Sequence, residues 1–489
     1  MLKTLENLDF ANSFADLPDD FYSKVKLTPF KGQSHLISFN HDLSTLIGLD
    51  PEQRHRTEFC DYFSGKQHWP GSDPLAMLYA GHQFGHLVPQ LGDGRAILLG
   101  EVKHDDQPSW DLQIKGSGET PYSRQGDGRA VLRSTIREYL CSEAMHALGI
   151  PTTRALCMIG ADDEIYRESI ETGAMLVRVA PSHVRFGSFE VFFYRQQHEQ
   201  IKQLADYVIE HHFPELKDRP TKYIDWLKVV IHRTAKLMAQ WQAVGFAHGV
   251  MNTDNMSVLG LTLDYGPFGF MEAFDPAYIC NHSDHEGRYA FDQQPGIGLW
   301  NLTCLAQAIT PLIEVEAAKE CLAEYEGQFV VNYYDLMSKK LGLSETSEQS
   351  VSLVNNLLSL LQQDARDYTI AMRSLSNFKP GQDNTALRDQ LLSRVDFDHW
   401  ASQYAECLNK ENRQDAQRKI EMDKLNPKFI LRNYLAEQAI RKATQEKDYS
   451  EIDKLFAILS DPFSEQPEHE AYAAEPPDWA KTISVSCSS

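Results

Sequence analysis

His248-Gly-Val-Met-Asn-Thr-Asp-Asn-Met-Ser-Val-Leu-Gly-Leu-Thr-Leu-Asp-Tyr-Gly-Pro-Phe-Gly-Phe270 is the stretch on which the reading of this chain turns. Amide and carboxylate side chains recur in it at intervals that suit a divalent cation on a polyphosphate. Asn255 lies seven residues after His248, and Asp264 opens an Asp-Tyr-Gly nine residues later. Oxygen donors of this kind are what Mg²⁺ takes. Two positions after the histidine stands Val250, which accepts no proton, and a carboxylate reappears only at Asp254.

A protein kinase sets its catalytic-loop Asn and its metal-holding Asp in the same order, with its base where Val250 stands here. Upstream, Thr221 to Val244 reads as an amphipathic helix, with Leu227, Val230, Ile231, Leu237, Met238 and Trp241 on one stripe leading into His248. Further upstream, Gly92-Asp-Gly94-Arg95 forms a tight turn before the strand pattern Ala96 to Leu99, and a second strand, Trp110 to Lys115, ends in a lysine. A glycine turn followed by a strand-borne lysine is the layout in which backbone amides approach phosphates and the lysine pairs with them. A plain hairpin with a surface lysine is the alternative. Val131 to Leu148 has helical spacing, closed by Gly149 and Pro151, and puts Glu138 mid-helix, 23 residues after Lys115, as its expected partner or else as part of a solvated helix face.

Thr152 to Met158 and Ala174 to Ala180 read as strands; Arg178 on the second and Arg185 just beyond it suit phosphate by their forked donors, or form surface salt bridges. Gly-Asp-Gly-Arg-Ala recurs at Gly126 to Ala130 as turn chemistry. After Asp264, the group His282, Asp284 and His285 reads as a structural loop rather than a zinc site. Residues 296 to 375 read as helices and the segment from Asn426 to Ile440 as another. The last 30 residues, acidic and Pro-rich, read as an extended tail.

These patterns predict an α/β (α+β) protein with a kinase-like two-lobed fold and helical extensions. The expected divisions are an N-terminal extension over 1–75, an N-lobe over 76–180, a C-lobe over 181–380, and a helical extension with acidic tail over 381–489. The 489 residues carry 47 basic and 69 acidic side chains, a formal charge of −22, and no basic stripe, which argues against a nucleic-acid partner. No apolar run reaches the ~20 residues that span a bilayer, and the N-terminus lacks a signal-peptide core, so a cytoplasmic protein without a membrane partner is expected. Eight scattered cysteines form no Cys-x-x-Cys pair.

Leu112-Gln-Ile-Lys-Gly-Ser-Gly-Glu-Thr-Pro-Tyr-Ser-Arg-Gln-Gly-Asp-Gly-Arg-Ala-Val-Leu-Arg-Ser-Thr-Ile-Arg-Glu-Tyr139, His248 to Met256, Asp264 to Phe270 and the terminal Cys487-Ser-Ser together resemble the selenoprotein O, or YdiU, family, from about residue 80 to the last residue. The resemblance implies a pseudokinase-fold enzyme that binds its nucleotide flipped relative to kinases. Such enzymes transfer AMP, or UMP in bacterial members, to Ser, Thr, Tyr or His side chains of proteins, themselves included. It implies ATP or UTP as substrate, Mg²⁺ or Mn²⁺ as cofactor, and a monomer is expected. Carried over by motif, nucleotide contacts fall on Gly92, Gly94, Arg95, Lys115, Asp127, Gly128, Arg178, Arg185 and Asp264. The metal ligands fall on Asn255 and Asp264, and the proton acceptor on Asp254. Cys487 stands where other members carry selenocysteine, and Cys280, 16 residues past Asp264, is its expected redox partner. The competing readings are a kinase-type phosphotransferase, which lacks its carboxylate at Val250, and a non-catalytic nucleotide-binding scaffold, which has no need of Lys115, Asn255 and Asp264.

Overall fold

The computed structural model describes residues 2–104 and 108–485. Its centre is one antiparallel sheet built from β1 (Tyr22–Lys24), β2 (His35–Phe39), β3 (Leu75–Met77), β6 (Ala96–Val102), β7 (Trp110–Lys115), β9 (Arg154–Tyr166) and β10 (Ile170–Ala180), in the spatial order β1-β3-β6-β7-β10-β9-β2. The short β8 (Ala130–Val131) pairs with β10, and β4 (Gly81–Gln83) with β5 (His86–Val88) forms a separate hairpin. Residues 1–75, read as an extension, thus supply a strand at each margin of the sheet. Those strands are only three and five residues long, too short for a period-2 pattern to announce them.

The pleat decides which side chains meet. Leu99, Leu112, Ile114, Val177 and Val179 point into a core closed by α1 (His41–Leu46) and α2 (Thr57–Ser64). The alternate positions face the other way. There Leu98 and Leu176 pack with Leu132, Ile136, Tyr139 and Leu140 of α3 (Leu132–Ala147). Lys115 lies opposite Leu176, and Gln113 opposite Arg178. All four therefore share the face turned to α3.

Beyond the sheet the chain is helical: α4 (Gly187–Tyr194), α5 (His198–His212), and the long α6 (Lys222–Val244), which ends at Gly245 in a left-handed conformation. α6 packs on α7 (Gln294–Ala308), α8 (Val315–Ala323) and α9 (Tyr325–Lys340). A further core of Leu353, Leu357, Met372, Leu387, Trp400, Tyr404 and Met422 gathers α10 (Glu348–Gln363), α11 (Tyr368–Ser374), α12 (Thr385–Arg388), α13 (Arg394–Glu411) and α14 (Asp415–Asp423). Finally α15 (Asn433–Glu446) and α16 (Ser450–Ser460) return to cover α3. The helix expected from Asn426 starts seven residues later. Pro427 cannot continue a helical ladder, and the buried Asn426 amide donates to the Lys340 carbonyl at 2.8 Å instead.

The acidic tail is not simply extended either. Its short 3-10 turns at Pro467–Tyr472 and Asp478–Thr482 are held down by Lys428, which pairs with Glu465 and Glu470, and by Arg441 over the Trp479 ring. No helix among the described residues is long and apolar enough to cross a membrane.

Candidate active site

Four elements bring charged side chains to the sheet face beside α3. Lys115 Nζ, at the end of β7, lies 2.5 Å from Glu138 Oε2 on α3. The other carboxylate oxygen of Glu138 lies 2.5 Å from Arg178 Nη2 on β10. Arg178 continues to Asp264 Oδ1 at 2.5 Å, and Arg185 Nη1 donates to Asp264 Oδ2 at 2.8 Å. A buried charge is tolerated only when paired, and this row alternates in sign to achieve that. Within this row three cations, Lys115, Arg178 and Arg185, face two carboxylates, Glu138 and Asp264. Burial, and then the neighbouring Arg178, push Lys115 down to about 8. Burial alone would raise Asp264, but Arg178 and Arg185 hold it well below the usual carboxylate range. Its backbone is left-handed (φ 55°), a region that aspartate enters more readily than most residues.

Asp254 has the opposite environment. It sits in the 3-10 turn Thr253–Asn255 and is buried; its Oδ2 accepts from Gln83 Nε2 at 3.1 Å, while Oδ1 has no hydrogen-bond partner. Burial pushes its carboxyl up to about 6. Two aspartates ten positions apart are thus driven in opposite directions, the arrangement that separates an acid–base group from a permanently charged one. The turn carrying Asp254 is held from outside, since the His82 backbone N–H donates to Thr253 Oγ1 at 2.7 Å. The backbones of Gly81 and Gly187 close around the Asp254 side chain and main chain.

Asn255 Nδ2 donates to the Val250 carbonyl at 2.9 Å, and among the described residues nothing donates to its Oδ1. That carbonyl oxygen and the ionised Asp264 are hard donors, and the pair fits Mg²⁺ or Mn²⁺ better than a soft metal. His248 plays a structural part. It is buried, its ring stacks on Trp241, and its Nε2 bonds the Leu263 carbonyl at 2.8 Å, which ties the start of this stretch to the residue before Asp264.

The two Gly-Asp-Gly-Arg turns both reach this site and use their aspartates differently. Gly92, at φ 114°, leaves no room for a side chain: a Cβ there would stand 2.5 Å from the Tyr122 ring. Asp93 beside it is buried and accepts from the Met77 N–H at 3.1 Å. Asp127 lies at the rim and takes a two-pronged bond from Arg167, at 2.8 and 2.9 Å.

Gly92, Gly94, Arg95, Lys115, Asp127, Gly128, Arg178, Arg185, Asp254, Asn255 and Asp264 all line one cavity of about 590 Å³, together with Val250. Glu138 stands behind Lys115 rather than in the cavity. Tyr79, Gln83, Tyr122, Arg124, Arg129, Arg167 and Asn252 also line it. Tyr122, Arg124, Arg129 and Asn252 fall inside the quoted motifs without a role read for them, whereas Tyr79, Gln83 and Arg167 fall outside every motif. Gln83 sits in a short hairpin. Arg167 sits at the tip of the β9–β10 hairpin, where the sequence offers only a turn between strands.

His282 and His285 are exposed, and Asp284 accepts from the N–H groups of Arg288 and Tyr289, so this segment is a structural loop. Cys280 is buried. Cys487 lies outside the described residues, which end at Val485, whose carbonyl accepts from the His282 N–H at 2.9 Å.

The family model described as protein adenylyltransferase SelO matches residues 4–460. Relatives named protein nucleotidyltransferase YdiU are similar over the whole length. The one from Thiobacillus denitrificans is 56% identical over 490 residues, covering 100% of both chains. That of Myxococcus xanthus is 52% identical, and that of Pseudomonas fluorescens strain SBW25 48% identical, each again over 100% of both chains.

Proposed function

The chain belongs to the SelO family of protein adenylyltransferases, and within it we propose that the cavity above transfers AMP or UMP from ATP or UTP to hydroxyl or imidazole side chains of proteins, its own included. The observation that carries this reading is the position of the proton acceptor. Val250, where a phosphotransferase needs its base, offers none, whereas Asp254 lines the same cavity with an unpartnered buried oxygen.

In this proposal Lys115, Arg178 and Arg185 bind the β- and γ-phosphates, the end of the nucleotide that departs as pyrophosphate. Asp254, ionised above about pH 6, takes the proton from the acceptor hydroxyl as the new O–Pα bond forms and the bond from Pα to the bridging oxygen breaks. Asn255 and Asp264 would hold Mg²⁺ or Mn²⁺, which when bound neutralises charge shared between the phosphates. Glu138 keeps Lys115 in place, and the glycine turns at Gly92 and Gly128 let backbone approach the nucleotide closely.

Parallel incubation with α-labelled and γ-labelled ATP and UTP tests this. Protein-bound label is expected from the α-position and none from the γ-position. Stoichiometric γ-label would establish the phosphotransferase reading instead, and no label from either would leave only a nucleotide-binding scaffold.

A further inference from the structure

Outside the cavity, three side chains of metal-binding type converge from three separate elements: His82 on β4, Glu190 on α4 and Cys304 on α7. One donor atom of each lies within 4.8 Å of the others. Glu190 is 1% exposed. One of its oxygens lies 2.5 Å from His82 Nδ1, and the other accepts from the Thr253 hydroxyl. The His82 ring is walled edge-on by Trp300 at 5.3 Å and Tyr194 at 5.9 Å. None of the three donors lines the cavity of the nucleotide site.

A hydrogen-bonded His–Glu pair by itself needs no thiol beside it. Cys304 Sγ has no hydrogen-bond partner among the described residues and completes a set of imidazole, carboxylate and sulfur. We propose that His82, Glu190 and Cys304 bind a divalent transition ion of the zinc class, separate from the oxygen-liganded site at Asn255 and Asp264. Three protein ligands with a fourth position for water is a geometry that zinc accepts. Donors around such an ion lie roughly 3.2–3.8 Å apart, given bonds of about 2.0–2.3 Å, so separations of up to 4.8 Å would shorten by at most about 1 Å and the 2.5 Å His82–Glu190 contact would lengthen by about 0.7 Å. Two of its supports, α4 and α7, pack on each other, so their side chains start close together. His82, with 12% of its side chain exposed, leaves an entry path. Sulfur and nitrogen donors exclude Mg²⁺ as the occupant.

On binding, the Cys304 thiol proton and any proton shared between His82 and Glu190 pass to solvent, the sulfur binds as thiolate, and the His–Glu hydrogen bond is replaced by two bonds to the ion. Thr253 then acts as the outer support of the ligand carboxylate, and the ion braces the turn that carries Asp254.

Cobalt is the probe. The full-length protein, stripped with a chelator and titrated with Co²⁺, is expected to develop tetrahedral d–d bands and a thiolate-to-cobalt charge-transfer band at one equivalent. Equimolar Zn²⁺ should abolish both. Cys304→Ser should lose the charge-transfer band, whereas Asp264→Ala should keep it, because an oxygen-only site yields none. A wild-type protein without that band, or a band that survives in Cys304→Ser, overturns the proposal. X-ray absorption of the Zn²⁺-loaded wild type supplies a readout independent of any variant's folding. One sulfur in the shell is expected, and none, or two, rejects the site. The α-label assay on the wild-type protein reads transfer directly and the cobalt spectrum reads ion binding, so a failure here and a failure of the transfer reading are told apart.

Discussion

Gly81 lies so close to Asp254 that a carbon placed on its Cα would stand 2.8 Å from both Cβ and Cγ of the aspartate. The φ of Gly81 is not in the left-handed region, so Gly81→Ala carries no backbone penalty and acts by displacing the carboxylate. A displacement on the order of 1 Å at a reacting group costs about a hundredfold in rate. We expect kcat of Gly81→Ala to fall by about that factor, with nucleotide affinity and far-UV circular dichroism retained. Wild-type turnover in this variant would remove Asp254 from the reaction.

The pH profile follows from the same carboxylate. Because burial raises Asp254 to about 6, the free enzyme gains its base as pH rises through that value. The acidic limb of kcat/KM should therefore bend near pH 6, about two units above an ordinary aspartate. A limb that bends near pH 4 contradicts the assignment.

Stability should move the opposite way. The folded protein binds this proton more tightly than the unfolded chain, so between about pH 4 and pH 6 stability falls as pH rises, and the cost is complete above pH 6. A rise from 3.8 to about 6 corresponds to about 3 kcal/mol. Asp254→Asn should abolish transfer and yet resist urea better than wild type at pH 8, with the gap narrowing at pH 4. Equal midpoints at both pH values would show that the carboxylate is not strained by burial.

Glu138 separates Lys115 from Arg178, two buried cations. Glu138→Gln should cost on the order of 3–5 kcal/mol in urea denaturation, the penalty for stripping a buried charge of its partner. Part of that loss should return with saturating ATP, because its phosphates supply the missing negative charge. No recovery with ATP would mean that the triphosphate does not reach Lys115 and Arg178.

Arg167 grips Asp127 with two bonds and also donates to the Arg129 carbonyl at 2.9 Å, so it fixes the second glycine turn from the neighbouring hairpin. Arg167→Ala should raise the nucleotide KM several-fold and leave kcat nearly unchanged, since uniform binding is lost and no reacting group moves. An equal fall in kcat would place Arg167 on the departing phosphates instead.

Lys115 and Glu138 are legible as a pair in the sequence, because a strand ending and a helix middle are local patterns that fix where both side chains point. The residues carried by motif also reach one cavity. Arg178 bridging Glu138 and Asp264 is not legible as a contact. It depends on β10 pairing with β7 in one register, a choice made by long-range packing. Gly81 and Gln83 escape for another reason. They belong to three-residue strands in a small hairpin, where neither periodicity nor composition carries a signal, and their importance arises only from touching Asp254. The His82, Glu190 and Cys304 cluster spans more than 220 positions, with no spacing rule to join them.

The two margins of the central sheet both come from the first 40 residues: Tyr22 lies opposite Met77 at one side, and His35 opposite Gly160 at the other. During synthesis, then, the segment at 35–39 must wait for more than 100 further residues before its partner emerges from the ribosome. Until then the apolar side chains it brings to the sheet have no shelter there. A chain shortened past Phe39 would leave the backbone groups of β3 and β9 unpaired along both margins, and such open strands recruit other strands. Trimming this end to obtain a smaller enzyme should therefore yield aggregates rather than a weaker catalyst.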